Sequence, residues 1–198
     1  MVPVYQLLLL CRPCHGTRYF KQMLVRITCL LLLLLLNACY SQSDYSRIHF
    51  VADTGSDFSA LLAKYKGRVV YIDVWATWCP KSLHDLNAQS SNNKLEAYAA
   101  RHNIVLLYLC TDRSERKDLW KQYVVNYNLA GYHVRLNDMM REDMHQKFGR
   151  IKRTRNVTNL EFQIPRRIVL NKNGTVADSN AFAPTDERLF RLLSKLVN

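Results

Sequence analysis

Val69-Val70-Tyr71-Ile72-Asp73-Val74-Trp75-Ala76-Thr77-Trp78-Cys79-Pro80-Lys81-Ser82 decides how the rest of the chain folds. An apolar, β-branched run of this length reads as a buried strand. It delivers Cys79 to a tight turn, and Pro80 suits the first position of a helix, where its missing N–H costs nothing. A cysteine at a helix N-terminus lies among unpaired backbone N–H groups at the positive end of the helix dipole, which favours the thiolate. Cys79 is therefore placed as a nucleophile. A dithiol site would carry its second cysteine three residues later, and this chain has Ser82 there.

Downstream of this stretch, a helix is predicted from Pro80 to about Arg101, with a kink or break at Ser90-Ser91-Asn92-Asn93. Ile104 to Cys110 is uninterrupted and apolar, which suits a strand buried on both faces. Asp112 or Ser114 then opens a helix with Leu119, Trp120, Tyr123 and Val124 on one side. Gly131 to Leu136 reads as a short extended piece, and Asp138 to Phe148 as a helix. Gly149 to Asn156 reads as a basic, irregular loop. Ile164-Pro165 leads into Arg167-Ile168-Val169-Leu170, and Asn171-Lys172-Asn173-Gly174 is a hairpin turn returning through Thr175 to Asp178. Pro184 and Thr185 open a last helix whose leucines at 189, 192, 193 and 196 share one face. Upstream, Ser56 can cap a short helix through Tyr65 that ends at Gly67. Two parallel strands joined by a helix, followed by an antiparallel hairpin, make an α/β mixed sheet with helices on both faces.

The N-terminal part belongs to targeting rather than to the fold. Met23-Leu24-Val25-Arg26 is a short positive segment, and Ile27 to Leu36 is an apolar stretch of signal-peptide rather than membrane-spanning length. Leu36-Asn37-Ala38-Cys39 is similar to a bacterial lipobox, whose cysteine is acylated, and Tyr40 onward turns polar at once. Residues 1–38 are accordingly the signal segment, with 1–22 an upstream extension if Met23 is the true start. Residues 39–55 are a lipidated N-terminus and tether, and 56–198 are the folded domain. Cys11-Arg12-Pro13-Cys14 has dithiol spacing but follows no strand and precedes the targeting segment.

The chain of 198 residues carries a net charge of +12, and removing the acid-free signal segment leaves the remainder basic. Export and the lack of any nucleic-acid motif argue against nucleic acid as partner; proximity to a membrane or plain solubility is the better account of the charge. Only Cys79 and Cys110 remain in the body, too few for a disulfide framework, so stability rests on the core. His133 and His145, with Asp138 and Asp143, lack metal-ligand spacing, and no cofactor is called for. His84, five residues beyond Cys79, is expected on the helix surface.

Four features in order resemble thioredoxin-fold proteins, and the lipobox and middle insert resemble their membrane-anchored TlpA/ResA-like branch of Bacteroidetes-type bacteria. These are Trp78-Cys79-Pro80-Lys81, Asp73 six residues before the cysteine, Ile164-Pro165 and the Asn171–Gly174 hairpin. The resemblance implies a thioredoxin-like sheet with a helical insert. It makes Pro165 a cis-proline facing Cys79, and Asp73 a buried acid that serves the second thiol. With Ser82 in that thiol's place, Asp73 is left to bond Ser82 or water. It further implies protein or small-molecule thiols and disulfides as partners, and a membrane attachment through Cys39 in the bacterial cell envelope, facing the periplasm or the cell surface.

A serine hydroxyl cannot perform the second attack of a dithiol reaction. Three outcomes stay open: monothiol or isomerase-like exchange through Cys79, resolution by Cys110, or a redox-inactive binding or scaffold lipoprotein. Cys110 ends its strand at the same sheet end as Cys79, although a bridge needs Cα atoms within about 7 Å. The cluster Lys152, Arg153, Arg155, Arg166 and Arg167 is expected to be a solvated loop, or else to lower the Cys79 pKa or recruit an acidic partner.

Overall fold

The run ending at Trp75 forms the strand about which the sheet is arranged. A computed structural model describes residues 47–52, 57–154 and 157–198, without the side chains of 151–160. The signal segment, Cys39 and residues 40–46 lie outside the described residues, as do Ser56 and Arg155.

Strand β1 (Ile48–Phe50) is followed by helix α1 (Phe58–Ala63) and strand β2 (Val70–Trp75). Helices α2 (Pro80–Asn92) and α3 (Lys94–His102) lead to β3 (Val105–Cys110). A 3₁₀ turn at Ser114–Arg116 precedes α4 (Lys117–Asn126), β4 (Gly131–Arg135) and α5 (Asp138–Phe148). The chain closes with β5 (Arg150–Thr154), β6 (Val157–Glu161), β7 (Arg166–Leu170), β8 (Val176–Asp178) and α6 (Glu187–Val197).

Six strands form one mixed sheet in the order β1-β4-β3-β2-β7-β8, and β5 and β6 form a separate two-stranded ribbon. β2 pairs parallel to β3 and antiparallel to β7. All six residues of β2 and all six of β3 are buried, as their unbroken apolar character requires of strands covered on both faces. Alternation divides them between two cores. Tyr71, Trp75, Leu106 and Cys110 pack with Leu86, Leu95, Trp120, Leu189 and Leu193 on one face. Ile72, Val74, Leu107 and Leu109 pack with Phe58, Leu61, Met140 and Met144 on the other.

The break expected at Ser90–Asn93 falls at Asn93, which adopts a left-handed φ of 49° between α2 and α3. α1 is capped by Asp57, whose carboxylate accepts from Ala60 N–H, and α6 by Asp186 rather than Pro184 or Thr185. Gly131 opens β4 at φ +144°, where an added Cβ would meet the Leu106 carbonyl oxygen at 2.7 Å, so the strand can approach β3 only without a side chain there.

Two expectations are corrected. Ile48–Phe50, assigned to the tether, is an edge strand paired parallel to β4. The segment expected to be an irregular basic loop is largely the β5–β6 ribbon, in which Arg150 pairs with Glu161 and Lys152 with Asn159. Among the described residues no helix is long and apolar enough to cross a membrane.

Candidate active site

Cys79 occupies the N-cap of α2 in extended backbone conformation, with Pro80 at the first helical position. Its N–H donates to the Ala76 carbonyl at 3.2 Å, and its carbonyl accepts from Leu83 N–H at 3.1 Å, so turn and helix start are fixed together. The residue is 8 % exposed, just beneath a surface on which Trp78 is 57 % exposed. The Ile164–Pro165 bond is cis. The Cys79 thiol donates to the Ile164 carbonyl oxygen at 3.7 Å, which brings the loop before β7 against the reacting sulfur from 85 residues away.

The turn that carries Cys79 is held from β3. Asp112, two residues past the end of that strand and fully buried, accepts from Thr77 N–H at 3.1 Å through Oδ1 and 3.4 Å through Oδ2. Arg116 Nη1 donates to Thr77 Oγ1 at 3.3 Å.

Beneath α2 lies a buried ionic group. Asp73 and Arg167 are register partners across β2 and β7, and Arg167 Nε donates to Asp73 Oδ2 at 3.3 Å. Its Nη2 donates to Asp85 Oδ2 at 2.5 Å, and Lys81 Nζ donates to Asp85 Oδ1 at 2.5 Å from one helical turn earlier. Burial pushes the Asp73 carboxyl up to about 6, with the Arg167 guanidinium pulling it down. For Asp85, burial also raises the pKa, but the bonds from Lys81 and Arg167 outweigh it and leave the carboxyl below its ordinary value. Burial opposes the Arg167 charge too, and the two carboxylates more than offset it, so the guanidinium is held more firmly protonated than usual.

This arrangement replaces two expectations. Asp73 is partnered by Arg167 rather than by Ser82; Ser82 is 1 % exposed, and its Oγ has no hydrogen-bond partner among the described residues. Arg166 and Arg167 do not belong to a solvated basic loop. Both are buried in β7, and Arg166 donates to the Ser179 carbonyl at 3.1 Å. Arg155 and the side chains of Lys152 and Arg153 lie outside the described residues.

Cys110 reaches the same sheet end as Cys79, as register partner of Trp75, but is fully buried in the core. Burial, and then the Asp112 carboxylate, push its thiol far up, so it is a poor nucleophile where it stands. Both cysteines are free thiols. His84 is exposed on α2. His133 is buried, stacked on Tyr108 at 4.7 Å, and burial lowers it to about 4. Among the described residues no cluster of His, Cys, Asp or Glu is arranged to hold a metal.

Sequence reasoning missed Asp85, Asp112 and the role of Arg167. One signal was available: a carboxylate in an apolar strand needs a partner, and Lys81 and Asp85 stand at helical i,i+4 spacing.

The central mixed sheet, the cysteine at a helix N-cap and the cis-proline opposite it define a thioredoxin fold. Residues 67–176 match the Thioredoxin-like family, and the chain belongs to it. Among solved structures it is similar to the thioredoxin domain of a thiol-disulfide oxidoreductase from Bacteroides vulgatus, with 16 % identity, 69 % of this chain and 84 % of that one covered, and a TM-score of 0.52. A thiol:disulfide interchange protein from Bacteroides sp. shares 15 % identity over 68 % of this chain and 76 % of its own, with a TM-score of 0.51. No curated protein matches the sequence.

Proposed function

We propose that this protein is an exported, lipid-anchored thiol–disulfide exchange protein that reacts through Cys79 alone. The observation that carries the proposal is the geometry at position 79. A free cysteine caps α2, faces the carbonyl of a cis Ile164–Pro165 bond, and has Ser82 where a second thiol would act. The Cys79 thiolate attacks one sulfur of a substrate disulfide, forming a mixed disulfide and releasing the other sulfur as a thiolate. A second thiolate then attacks the substrate sulfur of the mixed disulfide and frees Cys79. If that thiolate belongs to the substrate, the outcome is isomerisation with no net transfer of electrons. If it belongs to an external thiol such as glutathione, the partner is exchanged. The signal segment directs export and a lipid on Cys39 supplies the membrane attachment, which sets the protein in the cell envelope facing the periplasm or the cell surface.

The buried, raised thiol of Cys110 favours external resolution over an internal one. Exposure to glutathione disulfide tests the proposal by mass spectrometry. A glutathione adduct on Cys79, removable by reductant and absent in Cys79→Ala, is expected. A protein that stays unmodified would instead favour a redox-inactive binding or scaffold role.

A further inference from the structure

The surface beside Cys79 is a groove of about 550 Å³. Trp78, Phe162 and Ile164 give it an apolar wall, in which Trp78 precedes Cys79 in the chain and Ile164 is the residue whose carbonyl accepts from the Cys79 thiol. The groove is also lined by Arg113, which caps the 3₁₀ turn, and by Glu115 and Arg116 within it. Both arginines are exposed, and neither makes an ion pair among the described residues; Arg116 bonds only the neutral Thr77 hydroxyl. Arg141 also lines the groove, but its charge is already met by Asp138 at 2.6 Å. The groove continues into a neighbouring hollow of about 720 Å³ that shares Arg113, Glu115, Arg141 and His145 with it and adds Arg135, Asp138 and Glu142. Among the described residues, Arg113 and Arg116 are therefore positive charges without an ion-pair partner on the groove beside Trp78 and Ile164.

We infer that this groove binds an acidic polypeptide segment bearing the target disulfide, with Arg113 and Arg116 pairing its carboxylates. The inference rests on Cys79 being the reacting thiol. A guanidinium matches a carboxylate in a planar, two-bond geometry, and opposite charges across a docking surface govern which partner is accepted and how fast it arrives. The run of groove and hollow suits several residues of chain, more than a small thiol fills. An acidic partner is also what the sequence suggests for the basic segment after α5; here it is assigned to Arg113 and Arg116 at the turn after β3.

The test uses the full-length protein in an uncharged detergent. Three otherwise identical peptides carry one cysteine flanked by glutamate, glutamine or lysine, each as a mixed disulfide with a chromogenic aryl thiol. Attack by the Cys79 thiolate on the peptide sulfur forms a Cys79–peptide disulfide and releases the aryl thiolate, which is the better leaving group and is followed by its colour. At low salt the glutamate peptide is expected to react about tenfold faster than the lysine peptide, with the preference fading as salt screens it. In Arg113→Glu the ratio should fall to one or below, and in Arg113→Gln to an intermediate value. Each ratio is taken within one protein, so a change in the thiol itself cancels. Equal rates for the three peptides, with an uncharged aryl disulfide still reacting at Cys79, would overturn the inference and leave the proposed function standing. A ratio unmoved by either Arg113 variant would overturn the role of Arg113. A Cys79 inert even to the uncharged reagent would overturn the proposed function and this inference with it.

Discussion

Arg167 lies directly across β2–β7 from Asp73 and bonds it, while its other nitrogen reaches Asp85 on the helix that Cys79 begins. One guanidinium thus ties the sheet to α2 below the candidate active site. Removing one partner of a buried pair leaves the other charge uncompensated, which costs more than the pair itself contributes. Arg167→Leu leaves Asp73 without its partner and Asp85 with Lys81 alone, and we expect a loss of about 3–5 kcal/mol in urea unfolding. Arg167→Lys, which keeps the charge but not the fork, should recover part of it.

Asp73 should also shape the pH dependence of stability. Its carboxyl stands at about 6 in the folded chain against an ordinary 3.8, raised first by burial. The folded state therefore holds this proton more tightly than the unfolded one. The contribution is full below about pH 4 and is lost as pH rises through about 6. Asp73→Asn removes that loss. Between pH 4 and pH 6–7 the variant should gain on the wild type by about 2 kcal/mol, on top of any constant offset. A stability difference that stays flat across this window would contradict the assignment.

The two buried acids differ in how visible they are from sequence. Asp73 stands out because a carboxylate interrupts an apolar strand, and strand, turn, proline and helix from 69 to 82 follow from local pattern alone. The cis state of Pro165 followed from resemblance and is present. Arg167 and Asp85 were invisible as a pair. One sits in a run of basic residues and the other on an apparent helix surface, and only the fold brings them together across 82 positions. β1 escaped notice because three residues carry too little alternation to mark a strand. The β5–β6 ribbon did so because its charged residues look like loop.

Asp112 is expected to fix the Cys79 turn rather than to take part in exchange. Asp112→Ala leaves the buried Thr77 N–H without its acceptor, a cost of about 1–3 kcal/mol. Asp112→Asn keeps an acceptor oxygen and should restore most of the stability. Thermal unfolding of the two variants, together with the rate at which Cys79 is alkylated, separates loss of the hydrogen bond from loss of the charge.

Ser82→Cys should convert the site to a dithiol. Cα atoms three residues apart along a helical turn lie about 5 Å from one another, within the Cα range that a disulfide spans. Among the described residues Ser82 Oγ has no hydrogen-bond partner to lose. The variant is expected to form a reversible disulfide between Cys79 and the introduced thiol, seen as a loss of two hydrogens by mass spectrometry. It should also gain insulin-reducing activity with dithiothreitol that the wild type lacks.

The central claim is that one thiol suffices. Its most direct test is the recovery of a scrambled, disulfide-bonded protein substrate in a glutathione buffer, measured for the wild type, Cys79→Ala and Cys110→Ser. Acceleration is expected from the wild type, the same acceleration from Cys110→Ser, and none from Cys79→Ala. Equal rates for the wild type and Cys79→Ala would contradict the claim.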